Sequence, residues 1–283
     1  MTENVFFSSV VFAGGGSRCL WQVGFWNEVA PRIDLKPKII AGVSAGAAMA
    51  CLIFSGRFQD SFRRFKEVTA QNRRNVYPLN FVRGMPVFPH LAMYRTSILA
   101  AIDDTTLATL KQGPEIRILL TRPPAWAGPR LATLVGFLCY TLEKKLWAPV
   151  HPQLASRFGF TPEVATVAMC KTPAAVADLL LQSSCTPPFT PVLYRHGRPV
   201  LDGGLIDNVP VRLLDGSGGN TLVLLTRCYG PGRIPNVPGR TYVQPSQPIG
   251  IYKWDYTTPE GLQEAYDLGR YDGSQFVKDH LPG

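Results

Sequence analysis

No uninterrupted apolar run in this chain reaches the roughly 18 residues that a membrane-spanning helix requires, so a spanning helix is not expected. The N-terminal Met1-Thr2-Glu3-Asn4 has no basic residue, and the apolar run behind it is needed for the first strand. A secretory leader is therefore not expected either. The six cysteines, at positions 19, 51, 139, 170, 185 and 228, include no C-x-x-C pair and no metal-ligand spacing. Several fall inside apolar patterns, as buried, reduced thiols of a cytoplasmic protein would. No calcium loop of the EF-hand type is present, and neither a metal nor another cofactor is expected. Internal repeats, low-complexity tracts and a clear interdomain linker are also missing. Acidic residues are outnumbered, 20 against 29 Lys and Arg, which leaves a net charge of +9. That excess suits an anionic partner. No nucleic-acid recognition motif accompanies it, so peripheral contact with an anionic membrane surface is expected rather than nucleic acid.

The chain does have ample material for a core, with 46% of its 283 residues hydrophobic. Short apolar runs alternate with helical patterns, which indicates an α/β fold. Core strands are expected over Val5–Ala13, Lys38–Ala41, Ile116–Thr121 and Thr221–Thr226. Helices are expected near 18–30, 45–56, 58–72, 173–183 and 259–278. The proline-rich stretches Thr121–Pro129 and Tyr229–Pro248 read as long surface connections.

Three glycine-bearing motifs sit at strand ends. Gly42-Val43-Ser44-Ala45-Gly46 lies between the apolar run Ile39-Ile40-Ala41 and an alanine-rich helix start. A G-x-S-x-G in strand–turn–helix context lifts the serine hydroxyl out of the sheet. Upstream, Gly14-Gly15-Gly16-Ser17-Arg18 separates a strand from a helix, so several backbone N–H groups and the positive end of a helix dipole converge there. The phosphate-binding patterns G-x-x-x-x-G-K-[ST] and G-x-G-x-x-G are both absent, and with Ser44 nearby an oxyanion hole is the better account. Third comes Leu201-Asp202-Gly203-Gly204. An isolated D-G-G is most simply a turn aspartate capping its own backbone, but a serine needs a base. The four histidines offer none that is well placed. His280 is fourth from the end, His90 and His196 read as exposed loop or turn residues, and His151 sits between Val150 and Pro152. The base is expected to be an aspartate.

Together these blocks resemble the patatin-like phospholipases. The three motifs look like the family's catalytic blocks, and Ser183-Ser184-Cys185-Thr186-Pro187-Pro188-Phe189 resembles its serine/alanine–proline–phenylalanine segment. Asn208-Val209-Pro210 resembles the asparagine–proline that follows its D-G-G/A. The matches span residues 10 to 210 in the family's order. One departure is Cys19, which stands where a glycine usually follows the arginine. If that position is already helical, cysteine fits without strain, and this is the expected case; if it needs positive φ, cysteine disturbs the loop.

The resemblance implies an α/β three-layer sandwich, a mostly parallel sheet with helices on both faces, forming one domain over 1–283 with a helical cap or lid within 57–165. It implies a Ser-Asp dyad, with Ser44 as nucleophile and Asp202 as base, acting on lipid or other acyl esters. Gly14, Gly15, Gly16 and Ala45 would supply the oxyanion hole. Arg18, Gly42, Gly46, Gly203 and Gly204 would support it, Arg18 by tying the glycine loop in place or by meeting an anionic head group. Two segments could meet a bilayer. Phe58, Phe62 and Phe65 recur at helical spacing beside Arg57, Arg63, Arg64 and Lys66. Leu131–Leu142 is almost wholly apolar and ends in Lys144, Lys145 and Trp147, residue types that anchor at an interface. A soluble esterase or thioesterase, or a non-catalytic lipid-binding or scaffold protein, remain as alternatives.

Overall fold

A computed structural model describes residues 7–146, 149–152 and 154–280. Met1–Asn4, the first two residues of the expected first strand, Trp147 and the side chain of Lys144 lie outside the described residues. Eight strands form one mixed sheet: β1 (Phe7–Phe12), β2 (Ile39–Val43), β3 (Glu115–Arg122), β4 (Thr161–Thr166), β5 (Leu193–Arg195), β6 (Arg198–Asp202), β7 (Asn220–Leu224) and β8 (Arg240–Val243). The order is β5-β6-β3-β2-β1-β7-β8, with β4 also paired to β3. The pairings β3-β2, β2-β1, β1-β7 and β7-β8 are parallel, while β4, β5 and β6 join antiparallel. The helices are α1 (Leu20–Val29), α2 (Ala45–Phe54), α3 (Phe58–Gln71), α4 (His90–Leu99), α5 (Asp104–Gln112), α6 (Pro129–Leu146), α7 (Pro173–Ser183) and α8 (Pro259–His280).

The α/β sandwich expected from the sequence is therefore present, and the two-residue period of the strands divides its core. Val10 and Phe12 of β1, with Ile40 of β2 and Leu222 and Leu224 of β7, pack under α1, α2, α3, α7 and α8. Val11 of β1, Ala41 of β2 and Val223 of β7 face the other way, under the irregular chain around Val209–Leu214. Val43 and Leu119 on that second face pack against α6. Helices thus lie on both faces, but unequally.

Four expected strands and five expected helices appear within a few residues of their places. Other elements were not expected. Tyr229–Pro248 is more than a connection, because it carries β8. β5 and β6 form a hairpin closed by His196 and Gly197, both at positive φ (52° and 72°), the geometry of a tight two-residue turn. The aromatic stripe of α3 points inward: Phe58 and Phe62 are buried, their rings stacked at 5.3 Å, and both lie against Tyr266. Its basic face is left outward, with Arg63 paired to Asp60 and Arg64 to Glu67.

α1, which follows the glycine loop, is clamped by α8. The two backbones touch, since a Cβ at Gly269 would lie 2.0 Å from the carbonyl oxygen of Trp21. Trp21 Nε1 also donates to Asp272 Oδ2 at 2.7 Å across the same interface. Gly269→Ala must push the helices apart, and a loss of at least about 2 kcal/mol in urea unfolding is expected. A loss within experimental error would contradict this backbone contact.

Candidate active site

β3 acts as a common template for the two residues of interest. Its register places Val43, the last residue of β2, opposite Leu119. At the next position, Leu120, it pairs instead with Asp202 at the end of β6. Ser44 and Asp202 are 158 residues apart in sequence, yet they leave converging strand ends side by side. Ser44 Oγ donates to Asp202 Oδ2 at 2.8 Å.

The turn at Ser44 is strained, with φ 52° and ψ −133° for a non-glycine residue. Close packing holds it there. A Cβ at Gly46 would lie 2.4 Å from the carbonyl oxygen of Ala13, so only glycine lets α2 start this near β1. Gly42 sits at the end of β2, against Ala47. The Ser44 N–H donates to Ser183 Oγ at 2.8 Å, and that hydroxyl donates onward to the Leu119 carbonyl at 2.7 Å. Ser184 Oγ lies 3.3 Å from Ser44 Oγ. The Asp202 N–H donates to the Cys185 carbonyl at 2.7 Å. The Ser183–Cys185 segment thus fastens serine and aspartate to the same strand end, a role its sequence did not reveal.

Asp202 Oδ1 accepts the Gly204 N–H at 2.7 Å, and Gly203 opens the turn that makes this possible, packed on the Leu119 carbonyl. The hairpin bearing Asp202 is anchored by Arg122, which is buried, pairs with Glu163 of β4 and donates to the carbonyls of Arg198 and Pro199. Asp202 itself is buried, and its carboxyl is pushed up to about 6, first by burial; the Gly204 N–H, the Ser44 hydroxyl and the charge of Lys253 pull the other way.

The glycine loop divides into two parts. Gly14 departs from the expected oxyanion role. Its N–H is consumed by the Asn208 carbonyl at 3.0 Å, and its own carbonyl accepts from Asn208 Nδ2 and Thr226 Oγ1. Gly14 is also absent from the walls of the cleft. Gly15, Gly16 and Ala45 do line it, beside Ser44 and Asp202, and among the described residues their amides have no acceptor. Arg18 ties the loop in place, its Nε donating to the Ile251 carbonyl at 3.0 Å. Cys19 has φ −65° and ψ −12°, a helical conformation that cysteine adopts without strain; its thiol is buried and points to the Ala13 carbonyl.

The cleft encloses about 810 Å³, open to solvent, and its further walls include Phe137 and Tyr140 of α6 with the cations Arg227 and Lys253. Arg227 reaches the Tyr140 hydroxyl. His90 was expected to be exposed but is only 3% so: it begins α4, lines the cleft and packs edge-on against Tyr256. Its Nε2 donates to the Trp254 carbonyl at 2.9 Å, and burial lowers its pKa, so the ring is neutral. His280 instead stacks on Phe276 at the end of α8, and His151 meets Tyr242. Among the described residues no group of three or more His, Cys, Asp or Glu is arranged to hold a metal ion.

The displaced carboxyl of Asp202 has a consequence for stability. Below about pH 4 the group is protonated in folded and unfolded chains alike and contributes nothing. As pH rises through about 6 the folded chain must carry a buried charge, a cost on the order of 3 kcal/mol. Asp202→Asn is therefore expected to raise the melting temperature at pH 8 and to leave it unchanged near pH 4. Equal melting temperatures at both values would contradict this burial.

No relative of curated function matches the chain in sequence. Among solved structures, that of VipD from Legionella pneumophila aligns with a TM-score of 0.47 at 11% identity, over 97% of this chain and 67% of that one. Among the described residues no helix is long and apolar enough to cross a membrane. Residues 10–215, which hold Ser44, Asp202 and the glycine loop, match the family model described as patatin-like phospholipase, and the chain belongs to that family.

Proposed function

We propose that the chain is a serine acyl hydrolase acting on phospholipid esters through a Ser44–Asp202 dyad. The observation that carries this reading is the 2.8 Å hydrogen bond from Ser44 Oγ to a buried carboxylate, inside a cleft lined by Gly15, Gly16 and Ala45, whose amides have no acceptor among the described residues. Ser44 Oγ attacks the ester carbonyl carbon while its proton passes to Asp202 Oδ2. The carbonyl oxygen becomes an oxyanion held by the N–H groups of Gly15, Gly16 and Ala45. When the tetrahedral adduct collapses, the C–O bond to the leaving alcohol breaks, and that oxygen takes the proton back from Asp202. An acyl-serine remains. Water then gives a proton to Asp202 and attacks the acyl carbon; collapse returns the proton to Ser44 Oγ and releases the carboxylic acid. A carboxyl near 6 is a better proton acceptor than an ordinary aspartate and is still ionised at neutral pH.

Two features favour a phospholipid over a neutral ester or thioester. Arg227 and Lys253 line the cleft that holds the dyad, so an anionic head group is matched by charge. α6 would serve as the cap. Phe137 and Tyr140 reach the cleft from it, while Leu131, Leu134, Leu138 and Leu142 lie along its solvent side. Leu134 is 66% exposed and Leu138 56%. Trp126 and Phe158 extend this patch, joined by a hydrogen bond from Trp126 Nε1 to the Phe158 carbonyl. Arg130, Lys145 and Arg157 are exposed around it. An apolar stripe edged by cations suits the interface of an anionic bilayer, and it brings the cleft to its substrate.

Hydrolysis of anionic phospholipid vesicles and of a soluble short-chain ester tests both parts. Ser44→Ala and Asp202→Asn should each lose a factor of about 10³ or more on both substrates. The wild-type kcat/KM should rise with pH through about 6, as the base ionises. Leu134→Asp with Leu138→Asp should lower the vesicle-to-soluble rate ratio at least tenfold. Undiminished hydrolysis by Ser44→Ala would overturn the dyad, and an unchanged ratio would overturn the bilayer contact.

A further inference from the structure

The connection between α3 and α4, residues 72–89, carries the three large apolar side chains most open to water among the described residues: Val82 at 85% exposure, Phe81 at 80% and Leu79 at 72%. Met85 and Val76 beside them are exposed as well. Apolar side chains gathered in this way mark a contact surface. The base of the connection is fixed to the rest of the fold. Asn72 Nδ2 donates to the Tyr256 carbonyl at 2.8 Å, and Asn75 Oδ1 accepts the Tyr256 N–H at 2.8 Å. Phe88 packs edge-on against Phe189, which in turn stacks on Trp254. Trp254 and Tyr256 are walls of the cleft, and Lys253 Nζ lies 6.0 Å from the Phe137 ring of α6. The connection thus borders the cleft, with residues 253–256 linking it to α6.

Two properties of the tip select its partner. Its main chain is largely hydrogen-bonded to itself: the N–H groups of Asn80, Phe81, Arg83, Gly84 and Met85 all donate to carbonyls within residues 77–81, at 2.9–3.2 Å. Asn80 Nδ2 closes the turn on the Pro86 carbonyl at 2.9 Å, and Gly84 supplies the positive φ of 63° that the turn requires. These amides would keep their partners on leaving water, which removes the main penalty for entering an apolar medium. The charge around the tip has one sign. No Asp or Glu occurs from Val68 to Ile102, whereas Arg73, Arg74 and Arg83 are all exposed. The fourth arginine of that stretch, Arg95, is paired with Asp178 of α7. An apolar tip with arginines and no acid beside it matches an anionic bilayer, whose apolar interior lies beneath a uniformly negative surface.

We propose that the α3–α4 connection is a membrane-insertion element separate from α6. Leu79, Phe81, Val82 and Met85 enter the acyl boundary of an anionic leaflet, and Arg73, Arg74 and Arg83 remain among its head groups. The surface is distinct from the leucine stripe of α6, and the proposal does not depend on Ser44 and Asp202 acting as a dyad. Contact at both elements would fix the rotation of the protein on the bilayer, which a single stripe leaves free.

Flotation of the full chain with phosphatidylcholine vesicles, with and without phosphatidylserine, tests this without turnover when every variant is made on Ser44→Ala. Binding should require phosphatidylserine and weaken as salt rises. Phe81→Asp with Val82→Asp should lower vesicle affinity at least tenfold, and Arg73→Gln with Arg74→Gln and Arg83→Gln should do the same at low salt. All five side chains are exposed, so the melting temperature should stay at its starting value. A probe at the tip gives a local readout. Nitrobenzoxadiazole on Val82→Cys, in a Cys228→Ser background because the other cysteines are buried, should brighten and shift to shorter wavelength on adding anionic vesicles. An emission spectrum that the vesicles leave unchanged would overturn the proposal even if flotation were lost. Undiminished flotation of the folded aspartate variant would overturn it too. So would a dimer in light scattering that Phe81→Asp separates, which would assign the tip to a second copy of the chain. None of these results bears on the soluble-ester rates by which the dyad is judged.

Discussion

A carboxylate held away from water beside a serine hydroxyl costs folding free energy, and the arrangement of this sheet is what sustains it. Asp202 is buried, and its carboxyl is pushed up to about 6. Among the described residues it gains two direct hydrogen bonds in return, from the Gly204 N–H and the Ser44 hydroxyl. The rest of its support is positional. β3 receives β2 along its first half and the tip of β6 immediately after, which brings Ser44 and Asp202 together. Ser183, Cys185, Arg122 and Glu163 then lock the two ends to that strand.

The same constraint orders the surroundings. Ser44 keeps a strained backbone because α2 is packed hard against β1 at Gly46. The glycine loop is fixed at one end by Asn208 and Thr226, which use up the polar groups of Gly14, and at the other by Arg18 on Ile251. Gly15 and Gly16 are left between these anchors, lining the cleft, and α8 holds the following helix in place. Under the proposed Ser44–Asp202 reading, donors placed in advance matter most, because an aspartate is a weaker base than imidazole and the oxyanion would carry more of the burden.

Much of this was legible in the sequence wherever a local pattern encodes it. Buried parallel strands read as apolar runs, so β1, β2, β3 and β7 stood out, and the glycines at their ends marked the turns. Ser44 and the loop at Gly14–Gly16 stood out from such patterns, while Asp202 was singled out only once the blocks were read together as resembling a family. The residues that organise them could not. Gly14 loses its amide to Asn208, 194 positions away, and no pattern in the loop signals this. His90 reads as a loop residue because Pro86 and Pro89 stand just before it, yet Tyr256, Phe189 and Trp254 close over it from distant parts of the chain. β4, β5, β6 and β8 are only partly buried, so they carry too little hydrophobic signal, and the prolines around β8 disguise it further. The His196-Gly197 pair was the one local sign of the hairpin that delivers Asp202.

The central claim is that burial and hydrogen bonding to Asp202 make Ser44, among all serines of the chain, a nucleophile. Intact-mass analysis after exposure to a fluorophosphonate tests it most directly. A single adduct is predicted on the wild-type protein, none on Ser44→Ala, and a greatly slowed one on folded Asp202→Asn. An adduct that persists in Ser44→Ala, or forms equally fast without the Asp202 carboxylate, would contradict the account.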